Sequence, residues 1–161
     1  MTIPAELLTN LMTSTEEVFE TMVFMPLVRV PAPDIDTKSK GANVVATVAF
    51  AGHRRGLVAI HSSLDAAKTI AGAMLGIAIE DLNGEVPDAM GEVANMVAGT
   101  FRNKLAAVEP ASAIAVPTVT MGSDFATTYL SAVRRARCPF ELEGQPISVE
   151  LILTGEEAAA A

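Results

Sequence analysis

The chain has 161 residues, half of them hydrophobic, yet only 4% aromatic and without Trp, and it carries a net charge of −8. That length makes one domain with a sizeable, mainly aliphatic core, in which the eight Met read as filler and not as a cofactor box. The acidic balance excludes nucleic acid, which needs clustered Lys and Arg against phosphate, and argues against an anionic membrane surface for the same reason.

Taken from the N-terminus, Met1-Thr-Ile-Pro-Ala-Glu6 lacks the basic and apolar regions of a signal peptide. No uncharged apolar run is long enough to span a bilayer, so the expectation is a cytoplasmic protein without membrane insertion. Residues 4–22 read as a helix through the spacing of Leu7, Leu8, Leu11, Val18, Phe19 and Met22. Residues 23–30 read as a short apolar strand stopped by Pro31 and Pro33, and residues 36–41 as a charged turn. Residues 44–51 and 57–61 form a hairpin pattern around Gly52-His53-Arg54-Arg55-Gly56. Ser62 or Ser63 suits the N-cap of a second helix, residues 64–75, with Gly76 just past its end.

After a loop bearing Asn83-Gly84, Pro87 falls in the first turn of a third helix, where its missing N–H is harmless. This helix is expected to run to about Val108. Residues 113–121, 125–137 and 147–153 supply three more strands. The pattern is an α+β fold: helix, three strands, two helices, three strands, with a mostly antiparallel sheet and the helices packed on it. It implies a single domain over residues 1–154, with 155–161 a frayed tail. Arg54-Arg55 and Arg134-Arg135-Ala-Arg137 lie in strand-like settings and read as solvated strand faces.

The third helix carries the distinctive feature. Asp88, Glu92, Asn95 and Gly99 recur at i, i+4, i+7 and i+11, which puts them on one narrow stripe. Val86, Met90, Val93, Ala94, Val97, Phe101, Leu105 and Val108 occupy the other face. Asp88 and Glu92 are like charges at i,i+4, and Asn95 is a poor helix former in mid-helix. A helix needing only solubility would carry Glu/Lys pairs there, so this face is read as built to touch something. Asp88 also has a plain structural reading, since an acid in the first turn is favoured by the helix dipole. Gly99 serves either close helix packing or access for a partner backbone. A carboxamide is neither base nor nucleophile, but it donates and accepts hydrogen bonds together and so can orient a water molecule. Aligning water for in-line attack on a phosphoryl group is one such task. A fainter echo, Thr13-x-x-x-Glu17-Val18-x-Glu20, stands in the first helix without the carboxamide and reads as structural.

Asp88-x-x-x-Glu92-x-x-Asn95, within Gly91-Glu92-Val93-Ala94-Asn95-Met96-Val97-Ala98-Gly99, resembles the signature of the CheC/CheX/FliY phosphatases of bacterial chemotaxis. In that family an Asp or Ser, a Glu and an Asn at this spacing precede a proline a little over twenty residues later, where Pro117 stands. On residue chemistry alone Pro117 reads as a strand-edge or bulge proline. One intact motif beside a degenerate N-terminal copy is similar to CheX more than to CheC. The resemblance implies a CheC-like fold, a homodimer, and hydrolysis of the phospho-aspartate of a CheY-type response regulator. It also implies that Asn95 orients the attacking water and Glu92 pairs with a lysine of the regulator, with Asp88 in support. No cofactor of its own is implied; the Mg²⁺ belongs to the regulator.

Two other readings stay open. One is a binding module that docks on a regulator or flagellar switch component without catalysis. The other is a small-molecule enzyme with a pocket lined by His53, His61 or Cys138. A zinc site is not expected, because nothing brings the two His and the lone Cys138 to metal-ligand spacing.

Overall fold

The computed structural model describes residues 2–31, 42–126 and 133–155. The expected charged turn at 36–41, much of the expected strand start at 127–132, and residues 156–161 of the expected tail lie outside them. The first helix, α1 (Ala5–Val18), runs on into a π-helical turn, Phe19–Val23. Strands β1 (Val28–Arg29), β2 (Ala42–Ala51) and β3 (Arg55–Ser63) follow, then α2 (Leu64–Leu75), a 3₁₀ turn (Ile79–Asp81) and α3 (Val86–Leu105). The chain finishes with β4 (Ala113–Ile114), β5 (Thr118–Ser123), β6 (Val133–Leu142) and β7 (Gln145–Thr154). All strand pairs are antiparallel, in the order β1-β6-β7-β3-β2-β4, and β5 also pairs with β2. The α+β architecture therefore stands, with four strands rather than three after α3 among the described residues.

Alternation along the strands fixes which face the helices cover. Val44, Ala46, Val48 and Phe50 of β2, Val58 and Ile60 of β3, and Val149, Leu151 and Leu153 of β7 join one core with Leu11, Phe19, Ile70, Met90, Val97 and Phe101 from the helical segments. Phe50 and Phe101 meet edge-to-face at 6.1 Å, joining β2 to α3. Most of the described methionines fill the core as expected: Met12, Met25, Met74 and Met96 pack against it. Met90 is fully buried, but Met22 and Met121 are among the exposed large hydrophobics.

Local chemistry explains several boundaries. The Ser63 hydroxyl accepts a 3.0 Å bond from the Ala66 N–H and caps α2, and Gly76 closes it at φ 64°, a conformation glycine adopts without steric cost. The expected strand at 23–30 shrinks to two residues, because the helix continues through the π turn. Phe24, at φ 61°, and Met25 both direct their N–H to the Phe19 carbonyl, which leaves Val23 in the core. Helix α3 stops at Leu105, and Val108 is exposed rather than part of its buried face.

Arg55 is exposed as expected, but Arg54, Arg135 and Arg137 are engaged within the chain. Arg54 Nε lies 3.0 Å from Glu109 Oε2, tying the β2–β3 turn to the segment after α3. On the face of the sheet opposite the described helices, Glu150 is buried beneath His61, Arg135 and Arg137.

Candidate functional site

Helix α3 is the element around which the helical layer is arranged, since it packs against α1, α2, β2, β3 and β5. Pro87 stands in its first turn with Asp88, while Arg102 and Lys104 occupy the last turn, an arrangement matched to the helix dipole. Its buried side includes Val86, Met90, Val93, Ala94, Val97, Phe101 and Leu105, and extends to Ala89, Gly91 and Ala98. Such broad burial holds the backbone beneath the polar stripe in one place.

The stripe itself faces outward. Asp88 and Glu92 are exposed and Asn95 is half-buried. All three line one open cleft of about 480 Å³, together with Pro87, Gly91, Val116, Pro117 and Val119. Among the described residues, the side chains of Asp88, Glu92 and Asn95 make no hydrogen bond or ion pair. Their donors and acceptors are therefore available for something outside the chain.

The opposite wall is made by the segment joining β4 to β5. A Cβ built on buried Gly91 would sit 3.5 Å from Val119 Cγ2 and 3.6 Å from Pro117 Cβ, an ordinary van der Waals contact. Alanine fits there, but a larger side chain would push the wall away. Gly99 has open space where a side chain would stand, so packing within the described chain does not require it. It lies beyond the residues lining the cleft, one turn along the same stripe.

Of the residues singled out by sequence, Asp88, Glu92 and Asn95 come together with Pro117. The echo on α1 is differently engaged. The Thr13 hydroxyl donates back to the Thr9 and Asn10 carbonyls, and Glu17 pairs with Lys104 of α3 at 3.0 Å. His53, His61 and Cys138 do not form one pocket: His53 lies exposed in the β2–β3 turn, His61 contacts Glu150 on the sheet face opposite the described helices, and Cys138 is buried on the helix side. Burial pushes the Cys138 thiol above its ordinary range against a smaller opposing pull from Arg29, which makes it a poor nucleophile. Among the described residues, no group of three or more His, Cys, Asp or Glu is arranged to hold a metal ion. No helix among them is long and apolar enough to cross a membrane.

Sequence reasoning did not find Val116 and Val119 as cleft residues. Residues 113–121 carry the pattern of one uninterrupted strand, and only the spatial pairing reveals that it is broken at the cleft.

Comparison with known proteins gives a consistent result. The family model of chemotaxis phosphatase CheX matches residues 44–141. Chemotaxis protein CheX from Vibrio vulnificus superposes with a TM-score of 0.80 at 24% identity, over 96% of this chain and 100% of that one. A CheC-like superfamily protein from Shewanella sp. PV-4 gives 0.81 at 24% identity, over 95% and 100%. The Borrelia burgdorferi protein in the CheX-CheY-BeF3-Mg complex gives 0.76 at 19% identity, over 92% and 98%. No curated relative matches the chain. The likenesses to these structures speak for the fold, which is CheC-like, while the family match extends to the α3 stripe and Pro117.

Proposed function

Since this chain belongs to the CheX family of chemotaxis phosphatases, we propose that it accelerates hydrolysis of the phospho-aspartate of a CheY-type response regulator. The observation that carries this reading is the set of unengaged Asp88, Glu92 and Asn95 side chains in one open cleft on a rigidly packed helix. The neighbour from Borrelia burgdorferi occurs in a complex with CheY, BeF3 and Mg²⁺, where BeF3 stands in for a phosphoryl group. That pairing supports a phosphorylated regulator as the occupant of the cleft here.

In this mechanism the cleft end of α3 enters the regulator's acidic site. The Asn95 carboxamide accepts a hydrogen bond from the attacking water and donates one, which fixes the water in line with the bond to be broken. Phosphoryl transfer depends mainly on such positioning and on charge stabilisation, so no nucleophile from this chain is needed. Glu92 pairs with a lysine of the regulator and sets where Asn95 arrives, with Asp88 in support. Gly99 leaves room for the partner's backbone. The Mg²⁺ is the regulator's own and neutralises charge there.

The test is the lifetime of the phosphate on the host's response regulators, each phosphorylated in the presence of Mg²⁺. Wild-type protein shortens it for at least one regulator, and Asn95→Ala removes the effect by roughly 100-fold or more, as expected for a group that positions the attacking water. An Asn95→Ala protein as active as wild type refutes the mechanism. The rival reading, a binding module for a regulator or flagellar switch component, predicts saturable binding with an unchanged phosphate lifetime. The same proposal includes a cytoplasmic homodimer, and a dilution series followed by light scattering tests the dimer.

A further inference from the structure

The wall of the cleft opposite Asn95 has an unusual origin. Strand β2 pairs Thr47 with Thr118 and Phe50 with Ile114. Between those two pairs β2 has two residues, Val48 and Ala49, whereas the facing segment has three, Ala115, Val116 and Pro117. The extra residue is a bulge. The Ala115 N–H donates to the Ala49 carbonyl at 2.8 Å, and Pro117 brings no N–H of its own. Bulges bend a strand and re-aim its side chains, and this one leaves Val116 at the cleft, 86% exposed.

Single exposed apolar residues are common and need no explanation. Val116 differs in that it continues an apolar wall with Pro117 and Val119, directly across the cleft from the polar stripe. Nothing within the described chain is gained by a branched apolar side chain there, because so little of it is buried. The cleft is thus two-sided: Asp88, Glu92 and Asn95 on one wall, aliphatic carbon on the other.

We propose that Val116 is a specificity-determining docking residue, which packs against an apolar side chain of the response regulator beside its phosphorylated carboxylate. This rests on the proposed function, since continuity with the Glu92/Asn95 wall is what identifies the occupant as the regulator. The Val116 side chain has no polar atom to offer the reaction, so it acts on association and on the angle of approach. The regulators that fit are those with an aliphatic or aromatic residue at that place; one with a charged residue there is rejected.

The experiment measures binding of the host's regulators, each loaded with beryllofluoride and Mg²⁺, alongside KM and kcat with the phosphorylated forms. Val116→Ala should weaken binding by about fivefold and Val116→Asp by more than about 20-fold, with Val116→Ile close to wild type. KM should rise in parallel while kcat at saturation stays within about twofold. The high exposure of Val116 keeps these variants folded, which circular dichroism checks. Val116→Asp binding as tightly as wild type overturns the inference, and so does a fall in kcat at unchanged affinity. In both cases wild-type activity leaves the proposed function intact. A wild-type protein that neither binds nor dephosphorylates any of the regulators overturns the two together.

Discussion

Replacing Glu150 by Gln tests the ionic cluster on the sheet face opposite the described helices. Glu150 Oε1 receives a 2.7 Å bond from Arg135 Nε, while Oε2 lies 2.9 Å from His61 Nε2 and 3.3 Å from Arg137 Nη2. Burial pushes the carboxyl upward. The bonds from His61 and Arg135, with the charges of His61 and Arg137, outweigh this and bring it from 4.5 to about 2. That difference corresponds to about 3 kcal/mol. Because the Arg135 side chain is 43% exposed and screened by water, roughly 2 kcal/mol is the contribution to expect. Glu150→Gln keeps the shape and loses the charge, so Tm at pH 7 should fall by roughly 4–8 °C. A carboxyl held low in the folded state stabilises fully above the unfolded value and loses that contribution as pH falls. The gap between wild type and variant should therefore close from pH 4.5 downward toward 2. Urea unfolding at a series of pH values reads this directly. A gap that is absent at pH 7, or that persists unchanged to pH 2.5, refutes the reasoning. The cluster lies across the sheet from the cleft, so phosphate hydrolysis below Tm should be retained.

Two further substitutions probe the cleft and the sheet. Glu92→Lys should weaken association with the regulator by at least about tenfold, because it sets like charges together where a lysine of the partner is expected; calorimetric titration showing unchanged affinity would remove Glu92 from docking. Gly56→Ala should cost about 3 kcal/mol or more, since its Cβ would collide with the Ile152 carbonyl oxygen on β7, with Phe50 Cζ only 3.0 Å away. A urea midpoint within error of wild type would mean that the Gly56–Leu153 register is wrong.

Legibility in the sequence followed the range of the interactions involved. Helix α2 was readable to the residue, because Ser63 and Gly76 act locally on its two ends. The α3 stripe was readable for the same reason, as helical spacing alone places Asp88, Glu92 and Asn95 on one side. The start of the chain misled. Val23, Phe24 and Met25 look like strand residues, but a π turn that closes on Phe24 at positive φ has no periodic signature. Strand β6 runs past Pro139, where a strand is expected to stop, and the Pro139 carbonyl still accepts from the Val30 N–H at 3.3 Å. The cleft's second wall was hidden because a bulge is a count between two strands, and Val48 and Ala49 lie far from Val116 in sequence.

The burial of α3 on so many sides has a consequence for how adaptation would be divided between the two molecules of the proposed complex. A helix wedged between two others and a sheet opens only with the whole domain, so the amides around Asn95 belong with the slowest to exchange. Docking in the proposed complex would then spend little ordering entropy on this side, apart from a few rotamers at Glu92 and Asn95. Any conformational accommodation would fall on the proposed partner, and its local rearrangement would set how fast the complex becomes competent.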